Sequence, residues 1–79
     1  MSKTLLQALG DVLREVRAER GLSQEELGLR TGVHRNYVGG IERGERSPTV
    51  VVVATLAEEL DTSLHVLFER AESRLRASR

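Results

Sequence analysis

Residues 23–42 read SQEELGLRTGVHRNYVGGIE, and the fold is decided in this stretch. Ser23 is a favourable helix N-cap, and Glu26 follows three residues later, which makes a capping box. Leu22 before the cap and Leu27 after it form the matching hydrophobic staple. Gly32 stands where the first short helix must end, the usual place for a residue that tolerates positive φ. A second helix then runs from about Arg35 to Arg43, with Val33 as its lead-in and Val38 and Ile41 on one face. Two short helices joined by a tight, glycine-containing turn make a helix-turn-helix unit over about residues 23–43. His34, Arg35, Asn36 and Tyr37 open the second helix on its solvent side, and all four side chains are able to contact nucleic acid.

Outward from this unit the chain reads as helical throughout. Leu6, Leu9, Leu13 and Val16 recur at three- and four-residue spacing, flanked by Leu5 and Val12, and predict a helix from about Lys3 to Arg20 closed by Gly21. Arg17 falls four residues after Leu13 and therefore points along the apolar face. A charge there needs a partner, and Glu42, next to Ile41, is the obvious candidate. Gly44, Ser47 and Pro48 mark a loop. Thr49 can cap a fourth helix, Val50 to Leu60, with Val53, Leu56, Ala57 and Leu60 inside. The four valines 50–53 alone would suggest a strand, but ATLAEEL follows at once, so they are read as the first turn of that helix. Asp61, Thr62 and Ser63 break it and cap a fifth helix over about residues 63–77, with Leu64, Phe68, Ala71 and Leu75 as its stripe. The expectation is an all-α fold: a compact five-helix domain over residues 1–79 with the helix-turn-helix at helices 2 and 3.

Composition sets the outer limits. A chain of 79 residues has room for a small core, so self-association would help its stability. It has no cysteine, which fits a reducing compartment. No apolar run approaches the roughly 18 residues of a membrane span, and MSKTLLQALGDVLREV, with one lysine and an early acid, is a poor signal peptide. A cytoplasmic protein is expected. Twelve basic residues balance twelve acidic ones, which counts mildly against nucleic acid. The distribution counts for more: between Arg30 and Arg46 four arginines stand against two glutamates, while acids gather at Glu25, Glu26, Glu58, Glu59 and Asp61. A neutral chain with a polarised surface can still contact phosphates. His34 has only His65 as a possible histidine partner for a metal. The adjacent acids Glu25–Glu26 and Glu58–Glu59 diverge by about 100° on a helix and read as capping and solvated-face residues. No nucleophile–base pair can be assembled, so no enzymatic activity, cofactor, metal or small-molecule ligand is expected.

Along nearly its whole length the sequence resembles the phage-repressor or XRE family of helix-turn-helix transcription regulators. The resemblance is carried by LREVRAERGLSQEELGLRTGV (13–33), NYVGGIERGERSPT (36–49) and LAEELDTSLHVLF (56–68). Within the family, the size and five-helix composition look most like the controller proteins of restriction–modification systems. The resemblance implies that Gln24 bonds a phosphate or base and that His34, Arg35, Asn36 and Tyr37 enter the major groove of double-stranded DNA. The chemistry agrees, since arginine forks onto guanine O6 and N7 and asparagine pairs with adenine N6 and N7. Tyr37 has a second role open to it, packing against the second helix and showing only its hydroxyl. Ser23 and Gln24 at the helix N-terminus, with Arg43, Arg46 and Ser47, would fix the register on phosphates. The family's buried ion pair maps onto Arg17 and Glu42. The chain departs from the family pattern in places. Gly39 and Gly40 occupy positions that often carry polar, DNA-reaching side chains, which would concentrate readout in Arg35 and Asn36. Gly28 replaces the usual alanine at a cost near 1 kcal/mol of helix propensity. His34 replaces the usual serine, threonine or aspartate, putting its capping role in doubt.

The fifth helix carries apolar positions beyond what a core this small needs. Val51, Val52, Val66 and Leu67 cannot all face one interior. The expectation is a homodimer on a palindromic operator, with Val51, Val66, Leu67, Ala71 and Leu75 in the interface. The alternative is an antitoxin- or adaptor-like protein-interaction module that keeps the fold. The polar set Gln24, Arg35 and Asn36 discriminates against it, because a protein-binding descendant has no reason to keep that face.

Overall fold

A computed structural model of the chain describes residues 3–78. Five helices follow in order: α1 (Leu5–Glu19), α2 (Gln24–Thr31), α3 (Arg35–Glu42), α4 (Val50–Glu59) and α5 (Leu64–Ala77). No strand occurs among the described residues, and the whole measures 36 × 22 × 22 Å. Helix α1 packs against both α3 and α5, α2 against α3 and α4, and α4 against α5. All five helices contribute to one apolar core.

Each helix starts on a side chain suited to the task. Four of the five N-caps are serine or threonine whose hydroxyl accepts a backbone N–H in the first turn. At α1 this is a full capping box, Thr4 with Gln7, so the helix begins two residues later than Lys3. Thr49 accepts from the Val52 N–H at 3.1 Å, and the four valines are helical as read. The loops close in left-handed conformations. Gly21 has φ +70°, and the N–H groups of Gly21 and Leu22 return to the carbonyls of Ala18 and Arg17, a Schellman motif that ends α1. Asp61, at φ 54°, does the same for α4, with Thr62 N–H on the Ala57 carbonyl. Arg20 reaches across to donate to the Leu60 carbonyl at 2.8 Å.

Two expected stripes shift once packing is known. On α1 Leu9, Leu13 and Val16 are buried as read, and Ala8 and Val12 are fully buried beside them, whereas Leu5 is exposed. Contact with α3 on one side and α5 on another makes the buried arc broader than a single heptad stripe. On α5, Leu67 and Ala71 are completely buried, while Leu64, Phe68 and Leu75 are partly buried against the core. This corrects the assignment of Leu67 and Ala71 to a dimer interface. They belong to the protomer's own core and offer no surface to a partner. The apolar surface on α4 and α5 is carried instead by Val50 and Val51, about 67% and 74% exposed, and Val66 at 41%.

One residue of α1 was silent in the sequence. A Cβ on Gly10 would lie 2.5 Å from the carbonyl oxygens of both Ile41 and Glu42. The absence of a side chain therefore lets α1 meet the end of α3 backbone to backbone, which brings Arg17 within reach of Glu42.

Candidate nucleic-acid interface

The interface is built outward from a buried charge. Glu42, at the end of α3, is 4% exposed. Its Oε2 accepts from Arg17 Nε at 2.7 Å, and its Oε1 accepts from Arg17 Nη2 and from Gln24 Nε2, both at 2.9 Å. The remaining Arg17 nitrogen, Nη1, donates to the Leu22 carbonyl at 2.7 Å. The hydrogen bonds to Glu42 raise the Arg17 pKa above its ordinary value, and its charge adds to this against the opposing effect of burial. A buried carboxylate so supplied with donors meets the condition for burying charge at all. The arrangement fastens α1, the turn before α2, the first residue of α2 and the end of α3 to one point.

The α2 N-terminus is closed by the reciprocal box read from the sequence. Ser23 Oγ accepts the Glu26 N–H and Glu26 Oε1 accepts the Ser23 N–H, each at 3.0 Å. The Ser23 backbone N–H, and then its hydroxyl, hold the Glu26 carboxyl below the usual carboxylate range. Gly32 ends the helix at φ +79°. Between the two helices Gly28 is a contact point: a Cβ there would lie 2.5 Å from the Val33 carbonyl oxygen and 3.2 Å from the Arg35 nitrogen. The glycine therefore trades helix propensity for a closer approach of α3 to α2.

His34 does cap α3, contrary to expectation. Its Nδ1 accepts the Asn36 N–H at 3.0 Å, the bond a serine oxygen would otherwise supply. An Nδ1 that accepts leaves the ring proton of a neutral imidazole on Nε2. Arg35 and Asn36 are exposed on the first turn, whereas Tyr37 is half-buried against the core. Arg35 Nη1 pairs with Glu25 Oε2 on α2 at 3.0 Å.

The two glycines later in α3 are buried, not open positions facing a groove. A Cβ on Gly39 would meet Arg43 Nη1 at 2.9 Å and Gln24 Oε1 at 3.2 Å, and one on Gly40 would meet Arg46 Cγ at 2.6 Å. Their bareness lets two long cationic side chains lie close over the helix. Arg43 also bonds Glu45 at 3.1 Å. Arg43, Arg46 and Ser47 are exposed, and Gln24 is half-buried with one amide proton committed to Glu42. The candidate residues from Ser23 to Arg43 thus lie in the helix-turn-helix unit, and Arg46 and Ser47 lie in the loop that follows it. Glu25 was missed, because nothing in sequence links it to a residue ten positions on in a different helix. Among the described residues no cluster of His, Cys, Asp or Glu could hold a metal ion, and no helix is long and apolar enough to cross a membrane.

Comparison with known proteins agrees with this architecture. A helix-turn-helix family model matches residues 13–67. The control protein C.SmaI of Serratia marcescens is 40% identical over 62 residues, covering 78% of this chain and 74% of its own length. The restriction–modification controller protein C.AhdI of Aeromonas hydrophila superposes with a TM-score of 0.76 at 45% identity, over 78% of this chain and 94% of its own. The controller protein C.Esp1396I, solved as a tetramer in complex with its natural 35 base-pair operator, gives a TM-score of 0.81 at 30% identity, over 94% of this chain and 97% of its own.

Proposed function

The chain belongs to the helix-turn-helix family of DNA-binding transcriptional regulators of the XRE type, with controller proteins of restriction–modification systems among its relatives, and we propose that it acts as a cytoplasmic homodimer on a palindromic operator. The observation that carries this reading is the exposed first turn of α3, where Arg35 and Asn36 stand clear of the core. In the proposed complex α3 lies in the major groove. Arg35 reads guanine and Asn36 reads adenine, His34 presents its Nε2–H to a base edge, and Tyr37 contributes its hydroxyl. Ser23, Gln24, Arg43, Arg46 and Ser47 hold phosphates and fix the register. Arg17 and Glu42 act only by holding the two helices in place.

Two substitutions separate base reading from phosphate holding. Arg35→Ala should weaken binding to the selected operator by about 1–3 kcal/mol and relax preference at one base pair. Arg46→Ala should weaken all duplexes alike and reduce the salt slope by about one. Fluorescence anisotropy across salt concentrations reads both. Lost discrimination in the second variant with none lost in the first would reverse the two roles.

The homodimer is supported by apolar surface without a covering element in the protomer. Val51 and Val66 are exposed on α4 and α5, which pack against each other, and Leu75 is only partly buried against the core. A two-fold pairing of this surface would set two α3 helices about one DNA turn apart, roughly 34 Å. The assembly of C.Esp1396I as a tetramer on its operator supports an oligomeric mode of binding in a relative. Because Val51 is 74% exposed, Val51→Glu should leave the protomer folded and yield monomers in sedimentation equilibrium. A dimer of undiminished strength in this variant and in Val66→Glu would place the interface elsewhere.

A further inference from the structure

Glu25 has no part in capping α2, since Ser23 and Glu26 already form the box. It lies on the first turn of α2, exposed, with its Oε2 3.0 Å from Arg35 Nη1. The geometry points to Glu25 as a positioning residue that aims the base-reading arginine and thereby sets the discrimination between operator and non-specific DNA; this rests on the assignment of Arg35 to base contact.

Arg35 needs such a partner. It is the first residue of α3, and the first turn of that helix holds no acid. A cation there faces the positive end of the helix dipole. Left alone, a long guanidinium beside a phosphate-lined groove would settle on the nearest phosphate as readily as on a base. The bond to Glu25 engages Nη1 and leaves the Nε and Nη2 edge of the guanidinium free, the two parallel donors that guanine O6 and N7 require. The close approach of α2 and α3 at Gly28 fixes the separation of the two side chains. A guanidinium that keeps this bond can read a base by its other edge. One that leaves it for a phosphate strands a carboxylate against the DNA backbone, where like charge repels. Correct docking therefore retains the pair, and non-specific docking breaks it.

The test uses the full chain with its selected operator and a scrambled duplex of the same length, titrated by anisotropy. Both side chains are about 60% exposed, and exposed pairs of this kind contribute at most roughly five-fold to an equilibrium constant. Glu25→Gln should weaken the operator and tighten the scrambled duplex, each about two- to five-fold. Glu25→Asp keeps the charge but shortens the reach, and should also weaken the operator. In an Arg35→Ala background neither substitution should change the ratio of the two affinities, which is the signature of coupling between the pair. Equal tightening on both duplexes with Glu25→Gln and no effect of Glu25→Asp would reduce Glu25 to a contributor of net charge and overturn the proposal. Greater tightening on the operator would overturn it too, making Glu25 a competitor for Arg35. An Arg35→Ala protein that discriminates as well as the parent is a different failure, that of the base-contact assignment.

Discussion

Glu42→Ala should remove about 3–5 kcal/mol of the fold's stability. The substitution removes a carboxylate that accepts three hydrogen bonds, two from Arg17 and one from Gln24, and leaves a guanidinium largely out of solvent with its charge unmatched. Breaking a buried pair by deleting one partner costs about 3–5 kcal/mol. A domain of 79 residues is held by about 0.05–0.15 kcal/mol per residue, roughly 4–12 kcal/mol in all, so the loss is a large share of the stability. Glu42→Gln, which keeps an acceptor and the shape, should fall between. Urea unfolding followed by circular dichroism measures both. A drop below about 1 kcal/mol in the alanine variant would be the behaviour of an exposed pair and would contradict the role given to Glu42 as the anchor of α3.

The second large effect is expected at Gly10, and against local propensity. Glycine in the middle of a helix costs about 1 kcal/mol relative to alanine, so Gly10→Ala would stabilise α1 if the helix stood alone. Here the added methyl would lie 2.5 Å from two backbone carbonyl oxygens of α3, and backbone cannot rotate out of the way as a side chain can. Overpacking costs about 1–3 kcal/mol and occasionally more. The variant should be destabilised on balance. The strain falls on Ile41 and Glu42, so the ion pair and the seating of α3 should suffer with it, and DNA affinity should drop in the protein that remains folded. A thermal midpoint at or above that of the parent would show that α1 and α3 have room to separate.

The parts of the fold legible in sequence were those written in local chemistry. The box of Ser23 with Glu26, the stop at Gly32, the cap at Thr49 and the apolar spacing of α4 are decided by residues within a few positions of one another. The Arg17–Glu42 pair is legible because a charge on an apolar face demands a partner, Glu42 stands next to Ile41, and the family resemblance implies the same pair. What escaped depends on distances between helices. Gly10 looks like any helical glycine until α3 lies against it. Gly28 read as a departure in propensity, when the Val33 carbonyl beneath it is what excludes a side chain. Leu67 and Ala71 read as partner-facing because the apolar positions of α5 exceed one stripe, yet both are completely buried while Val51 is exposed. Glu25 looked like a second acid in a capped first turn, and its pairing with Arg35 follows only from the angle between α2 and α3. An imidazole is a rare cap, so His34 does not read as one in sequence, although its Nδ1 takes a backbone N–H as an oxygen does.

The proposed function rests on the first turn of α3 reading DNA sequence as one of a symmetric pair. Selection from a random duplex library with the purified protein, at near-physiological salt and read by sequencing, tests that claim most directly. The predicted result is enrichment of an inverted repeat whose half-site centres lie about one helical turn apart, with preference relaxed at one base pair of each half-site when Arg35→Ala is used in place of the parent. Absence of any enrichment, at protein concentrations where sedimentation shows a dimer, would contradict it and turn the same exposed face into a docking site for another protein.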